Sequence, residues 1–162
     1  MGTEHTVVLN IDSNARALPV VRGAVEQMAT AEGFDANDTH GLVLAIDEAL
    51  ANVIKHGYGG QTDQPIRITL SVVKSPDGRN GIAVEVRDRG QQVDPGSICG
   101  RDLDDVRPGG LGVHIIRAVM DECEYSCPPD GGMCLRMVKF VGGKSGGAVT
   151  DASATSGEEH DG

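Results

Sequence analysis

The side chains best placed to do chemistry are Glu48 and Asn52, in the stretch Asp47-Glu-Ala-Leu-Ala-Asn-Val-Ile-Lys-His-Gly-Tyr58. They are four residues apart, so on a helix they project from one side, one turn above the other. A carboxylate and a carboxamide stacked in this way form an oxygen-rich pair, suited to a hard cation and to orienting a hydroxyl or a water. The same pair also reads as part of a solvated polar face. The helix itself is legible from Leu42, Ile46, Ala49 and Val53, spaced three and four apart on one apolar stripe. Gly57 follows the last turn, where positive φ normally ends a helix.

Two further stretches carry polar chemistry. Asp88-Arg-Gly90 closes a strand pattern, and a strand-end carboxylate accepts well from an exocyclic amine such as that of adenine. Gly90 would let a flat ligand approach the backbone; Asp-x-Gly is equally an ordinary turn. Gly109-Gly-Leu-Gly112 runs into a helical pattern, so its backbone N–H groups and the positive end of the helix dipole make an anion site. A flexible helix start also accounts for those glycines.

The elements that must position these groups follow from periodicity. Thr6 to Asp12 alternates, with Val7, Leu9 and Ile11 on one face, as a strand does. Ser13 is the expected N-cap of a helix from about Ala15 to Ala31, with Pro19 near its first turn. Val20, Val21, Ala24, Val25 and Met28 supply its buried side, and Gly33-Phe34-Asp35 separates it from the helix of Glu48, starting at about Asn37. Ile66, Ile68, Leu70 and Val72 mark one strand and Ile82, Val84 and Val86 the next, joined by the turn Ser75 to Gly81 and therefore antiparallel.

From Gln91 to Pro108 no periodicity survives, and loops of that length inside a compact domain are often lids or binding loops. A helix is expected from Gly110 to Asp121, with Leu111, Ile115, Ile116 and Val119 on its apolar side. Two last strands follow, Glu124 to Ser126 and Met133 to Val141. The order β-α-α-β-β-α-β-β predicts an α+β two-layer sandwich, a mostly antiparallel sheet with helices on one face. Residues 1–141 form one domain, and the Gly-, Ser- and acid-rich stretch 142–162 is expected to be disordered.

Composition narrows the class. Hydrophobic residues make up 39% of the 162 but aromatics only 2%, so the core must be aliphatic. A net charge of −10 disfavours direct nucleic-acid binding, which needs a basic surface to neutralise phosphates, and favours a basic partner. The cysteines at 99, 123, 127 and 134 lack the paired spacing of a structural zinc site. With residues 1–12 too polar for a secretory signal, they read as reduced cytosolic thiols. No apolar run approaches the ~20 residues that span a bilayer.

Taken together, an acid–amide helix, a strand ending in Asp-x-Gly and a loop closing on a glycine-rich helix start resemble the GHKL ATPase superfamily. Glu48-Ala-Leu-Ala-Asn52-Val-Ile-Lys-His56-Gly57-Tyr58 and Gly109-Gly-Leu-Gly112-Val-His-Ile-Ile-Arg-Ala-Val-Met-Asp121 resemble the anti-sigma-factor serine/threonine kinases within it, over about Thr6 to Val141. The resemblance implies a Bergerat-type site for ATP and Mg²⁺ and phosphoryl transfer to a serine of an antagonist protein. Glu48 would be the catalytic base, Asn52 would hold Mg²⁺, Asp88 would read adenine beside Gly90, and Gly110 and Gly112 would cradle phosphates. Arg107 would reach a γ-phosphate under a closed lid, unless it is a solvated loop arginine. The implied partners are a sigma factor and an anti-anti-sigma antagonist of STAS type, with a possible homodimer and a cytoplasmic location.

Two positions depart from the superfamily pattern: Gln92 stands where a second glycine is usual, and Gly132-Met133 where Gly-Thr is usual. His56 is expected to anchor its helix end and His114 to pack. A non-catalytic module acting by sequestration is the first alternative. A sensor histidine kinase's ATP domain is the second, disfavoured because no helix with a phosphoacceptor histidine precedes the first strand.

Overall fold

A computed structural model describes residues 5–99 and 111–143. The chain builds β1 (Thr6–Asp12), a 3₁₀ turn (Ala15–Ala17), α1 (Leu18–Ala31), α2 (Ala36–Asn52), a π turn (Val53–Gly57), β2 (Pro65–Lys74) and β3 (Asn80–Asp88). There follow α3 (Pro95–Cys99), α4 (Leu111–Val119), β4 (Glu122–Ser126) and β5 (Cys134–Phe140). The strands form one sheet in the order β1-β2-β3-β5-β4, every neighbouring pair antiparallel. Helices cover one face of it, as the sequence pattern predicts.

Period-two alternation sets the register. Ile68, Val86 and Leu135 lie side by side across three strands, and Leu70, Val84 and Met137 form the next row. These rows meet Val21, Val25 and Ala29 of α1, Leu42, Ile46 and Leu50 of α2, and Ile116 of α4 in one aliphatic core. Burying a side chain of this kind is worth about 1.5–3 kcal/mol. α1 and α2 are also tied by Arg22, whose Nε donates to both Asp47 carboxylate oxygens at 2.9 Å. That bond occupies Asp47 and leaves Glu48 as the carboxylate of this pair on the cavity side.

α4 runs antiparallel to α2, in close contact near both ends. A Cβ on Gly41 would lie 2.8 Å from Val119 Cγ1, and one on Gly112 would lie 2.5 Å from Glu48 Oε2. Beneath the Val119 end, Lys139 is 1% exposed, donates from Nζ to the Val119 carbonyl at 3.0 Å and pairs with Asp38 at 3.4 Å.

Several expectations are corrected. Ser13 is not the cap: it is fully buried, donates to the Gln61 carbonyl and accepts from the Gln64 N–H, while Asn14 accepts from the Arg16 N–H instead. Val20 is 63% exposed, and Ala29 takes its place on the buried side of α1. Leu111 is 64% exposed because the first turn of α4 faces a cleft rather than the core. Gly57 does not have positive φ; α2 instead widens into the π turn, closed by the Tyr58 N–H on the Val53 carbonyl at 2.9 Å, and Gly59 and Gly60 make the left-handed exit. β3 starts two residues earlier than its apolar pattern, β4 starts at Glu122, and β5 spans only Cys134–Phe140. The expected loop contains α3, while its residues 100–108, including Arg107 with its expected lid contact, residues 109–110 and the tail from residue 144 lie outside the described residues.

Candidate active site

Glu48 and Asn52 occupy successive turns of α2, and both line a cavity of about 210 Å³ together with Lys55, His56, Leu111 and Gly112. Gly112 sits over them in the first turn of α4, 2.5 Å (as a Cβ) from Glu48 Oε2 and 3.5 Å from Asn52 Nδ2. Any side chain there would occupy the space in front of the carboxylate. His56, expected to anchor the helix end, is exposed and lines the cavity. His114 is half-buried on α4.

Asp88 lies at the end of β3, where the sheet order sets it against the start of β5. It is 4% exposed, and Oδ1 accepts from the Gly90 N–H at 2.8 Å and the Met133 N–H at 3.2 Å. Burial raises its carboxyl pKa, and the two backbone donors oppose that shift. The backbone passes Asp88 very closely. A Cβ on Gly90 would lie 2.3 Å from the Gly57 carbonyl oxygen, and one on Gly132 would lie 1.9 Å from the Asp88 carbonyl oxygen. Gly132 also has φ of 70°, so the glycine is required twice over.

The two departures from the superfamily pattern have definite contacts. Gln92 Nε2 donates to the carbonyls of Pro128 at 3.0 Å and Gly132 at 3.1 Å, pinning the segment after β3 to the β4–β5 turn. Met133 gives Asp88 its backbone N–H, while its sulfur lies 3.5 Å from Cys127 Sγ and from the Val93 nitrogen.

The structure thus gathers Glu48, Asn52 and Gly112 in one cluster, and Asp88 and Gly90 in a second. The π turn joins them: Gly57 lies between Val53 and Asp88, a Cβ there falling 3.8 Å from each side chain. Gly110 and Arg107 lie outside the described residues. Sequence reasoning missed Lys55 on the cavity wall, although it sits seven residues after Glu48 and so two turns along the same face. It also missed Tyr58, whose hydroxyl donates to the Pro65 carbonyl at 2.5 Å and accepts from the Arg89 N–H at 2.7 Å. The signal was available, since a buried tyrosine hydroxyl must find partners.

The family model of the histidine kinase-like ATPase domain matches residues 11–139, which include both clusters. The chain belongs to this family. Among curated relatives of this ATPase-domain chain is the serine-protein kinase RsbW of Listeria innocua, 26% identical over 151 residues, which are 89% of this chain and 93% of that protein. Another is the serine-protein kinase RsbW of Halalkalibacterium halodurans, 29% identical over 145 residues, 85% of this chain and 84% of that one. The fold recurs in the RsbU and RsbW domains of Rv1364c from Mycobacterium tuberculosis, with a TM-score of 0.56 and 20% identity over 84% of this chain and 32% of that larger one. It recurs again in the SiaB–SiaC complex from Pseudomonas aeruginosa, with a TM-score of 0.53 and 15% identity over 83% of this chain and 89% of that one.

The donor set fits the ligands of an ATPase domain. Among the described residues no group of three or more His, Cys, Asp or Glu is placed to hold a metal ion by itself. The Asn52 carboxamide and the Glu48 carboxylate beside it are hard oxygen donors of the kind Mg²⁺ takes, with phosphates and waters filling the rest of its shell. A buried carboxylate held by backbone donors on one oxygen suits an exocyclic amine on the other. No helix among the described residues is long and apolar enough to cross a membrane.

Proposed function

We propose that the chain is an ATP-dependent serine protein kinase that acts as an anti-sigma factor, sequestering a sigma factor and phosphorylating an anti-anti-sigma antagonist. The observation that carries this reading is the Glu48 carboxylate, one turn from Asn52 and directly under the glycine start of α4. The relatives named serine-protein kinase support the reaction class.

When bound, ATP supplies the transferable γ-phosphoryl group and Mg²⁺ neutralises charge on its phosphates. Phosphoryl transfer needs positioning and charge neutralisation more than covalent help. In this reading Asn52 would hold the ion through its side-chain oxygen, and Asp88 would accept a hydrogen bond from the exocyclic amine of adenine, with Gly90 flanking the base. Gly112, in the first turn of α4, would present its backbone N–H to the phosphates; for Gly110 and Arg107 the family resemblance implies a phosphate cradle and a contact to the γ-phosphate. Glu48 takes the proton from the attacking serine hydroxyl.

One observation favours the alternative, sequestration without catalysis: Met133 offers a thioether where the superfamily pattern has a hydroxyl. Glu48→Gln separates the two. It keeps the size of the side chain and much of its hydrogen bonding but removes the base and a negative charge, so nucleotide and sigma-factor binding should persist. Transfer from labelled ATP to the purified antagonist should fall by about 10²–10⁴-fold, the usual scale of a general base. Wild-type rates in the variant would remove Glu48 from the role of base; no transfer by the wild type would establish the sequestering module.

A further inference from the structure

Three successive backbone N–H groups follow Asp88, and each has a different acceptor. The Arg89 N–H goes to the Tyr58 hydroxyl at 2.7 Å, the Gly90 N–H to Asp88 Oδ1 at 2.8 Å, and the Gln91 N–H to the Gly57 carbonyl at 3.1 Å. The central bond orients the Asp88 carboxylate. The two flanking bonds fix the peptides on either side of it, and both end on Gly57-Tyr58, the last residue of the π turn and the one after it. Tyr58 is 8% exposed, and its hydroxyl in turn donates to the Pro65 carbonyl at the start of β2. Burial raises the phenol's pKa, so the hydroxyl stays protonated and able to donate. The run from the Arg89 N–H through the Tyr58 hydroxyl to the Pro65 carbonyl is a short, part-buried hydrogen-bonded chain, in which each bond polarises the next.

From this arrangement we infer that Tyr58 is a positioning residue for base discrimination, holding the Asp88 carboxylate in the orientation that accepts an exocyclic amine. The inference rests on the reading of Asp88 given under Proposed function. It assigns to Tyr58 a role in which base is bound, separate from the phosphate end at Glu48 and Asn52. The described bonds to Asp88 both fall on Oδ1, so a rotation of the Gly90 peptide would turn Oδ2 as well. Phenylalanine fills the same volume and removes only the hydroxyl.

The test compares Mg·ADP with Mg·IDP by calorimetry on the full chain. The two ligands share ribose and phosphates and differ at the base's 6-position, an amino group in one and a non-donating oxo group in the other. Wild type should prefer ADP by on the order of 10- to 100-fold, the scale of a hydrogen bond to a charged group. Tyr58→Phe should lower that preference about three- to tenfold, with IDP affinity unchanged. A loss of general stability, or any defect at the phosphate end, would weaken both ligands equally, and that result would overturn the inference. Should wild type itself fail to discriminate, with Asp88→Asn leaving the ratio unmoved, the reading of Asp88 falls instead. Amide exchange supplies a check that needs no variant: in the nucleotide-free wild type the Arg89 amide should exchange as slowly as the β3 amides. Fast exchange there means the hydroxyl does not hold the peptide, and the inference fails.

Discussion

Lys139 offers a decisive test of how the α2–α4 pair is held. Its side chain is 1% exposed and that of Asp38 is 11% exposed, with 3.4 Å between Nζ and Oδ1. Asp38→Ala removes the carboxylate 3.4 Å from a buried ammonium that also donates to the Val119 carbonyl at the C-terminal end of α4. Breaking a buried pair from one side typically costs about 3–5 kcal/mol. The residual bond to Val119 and the favourable helix dipole place this case near the lower end, at about 3 kcal/mol. Lys139→Met should cost less, about 1–3 kcal/mol, because Asp38 sits in the first turn of α2, where a carboxylate is favoured, and keeps some access to water. The double variant removes both charges and should be more stable than the sum of the single losses by about 2 kcal/mol. Urea unfolding of the four proteins gives the cycle, with the 3 kcal/mol loss appearing as a fall in Tm of about 6–12 °C for a domain of this size. A coupling below about 0.5 kcal/mol would refute the reasoning, since the pair would then contribute nothing that its separate members do not.

The remaining predictions concern the site. Asp88→Asn should abolish the preference for adenine while stabilising the nucleotide-free chain at neutral pH, because it removes a buried charge and retains an acceptor for the Gly90 and Met133 N–H groups. The pH dependence has a definite sign. Burial raises the folded-state pKa of Asp88, so the folded chain holds this proton more tightly than the unfolded chain. Stability from this group therefore falls as pH rises from about 3.9 through the raised folded value, and wild type should gain on Asp88→Asn as pH is lowered through that window. Gly112→Ala should change stability by less than about 1 kcal/mol, since its one tight Cβ contact is with the flexible end of Glu48, Asn52 Nδ2 lies at an ordinary 3.5 Å, and alanine favours a helix. Displacing that carboxylate should nevertheless slow transfer at least tenfold in the labelled-ATP assay, an order-of-magnitude estimate from the general-base scale.

The strands were legible because aliphatic residues alternate through them, and α2 because its apolar residues recur at helical spacing. The pairing of Glu48 with Asn52 followed directly from a four-residue interval. What could not be read were features whose partners are distant in sequence. Ser13 looks like a helix cap by its neighbours, but its hydroxyl is taken by Gln61 and Gln64 across the fold. Lys139 alternates in phase with Leu135 and Met137, so pattern alone points its side chain into the core; nothing local announces that Asp38 and the end of α4 wait there. Gly57 read as a terminator because a glycine after a helix usually is one. Its lack of a side chain instead serves close packing, with its carbonyl against Gly90 and its α-carbon beside Asp88.

These contacts converge on one element. α2 has seventeen residues, about 25 Å of helix. Asp38 at its start meets Lys139 under the far end of α4, Glu48 and Asn52 in its last turns meet Gly112 at the near end, and Gly57-Tyr58 beyond it hold the peptides after Asp88. The distance between the acid–amide pair and the strand-end carboxylate is therefore set by the π turn, not by a loop free to vary. An extra residue in that turn would rotate Tyr58 and Gly57 away from Arg89 and Gln91, leaving both of those N–H groups without their acceptors. A wide turn of this kind is rarer than a continued α-helix, and such turns occur frequently at functional sites. Here it places a backbone carbonyl and a phenol hydroxyl side by side against the end of β3, which a regular helical exit would point in different directions.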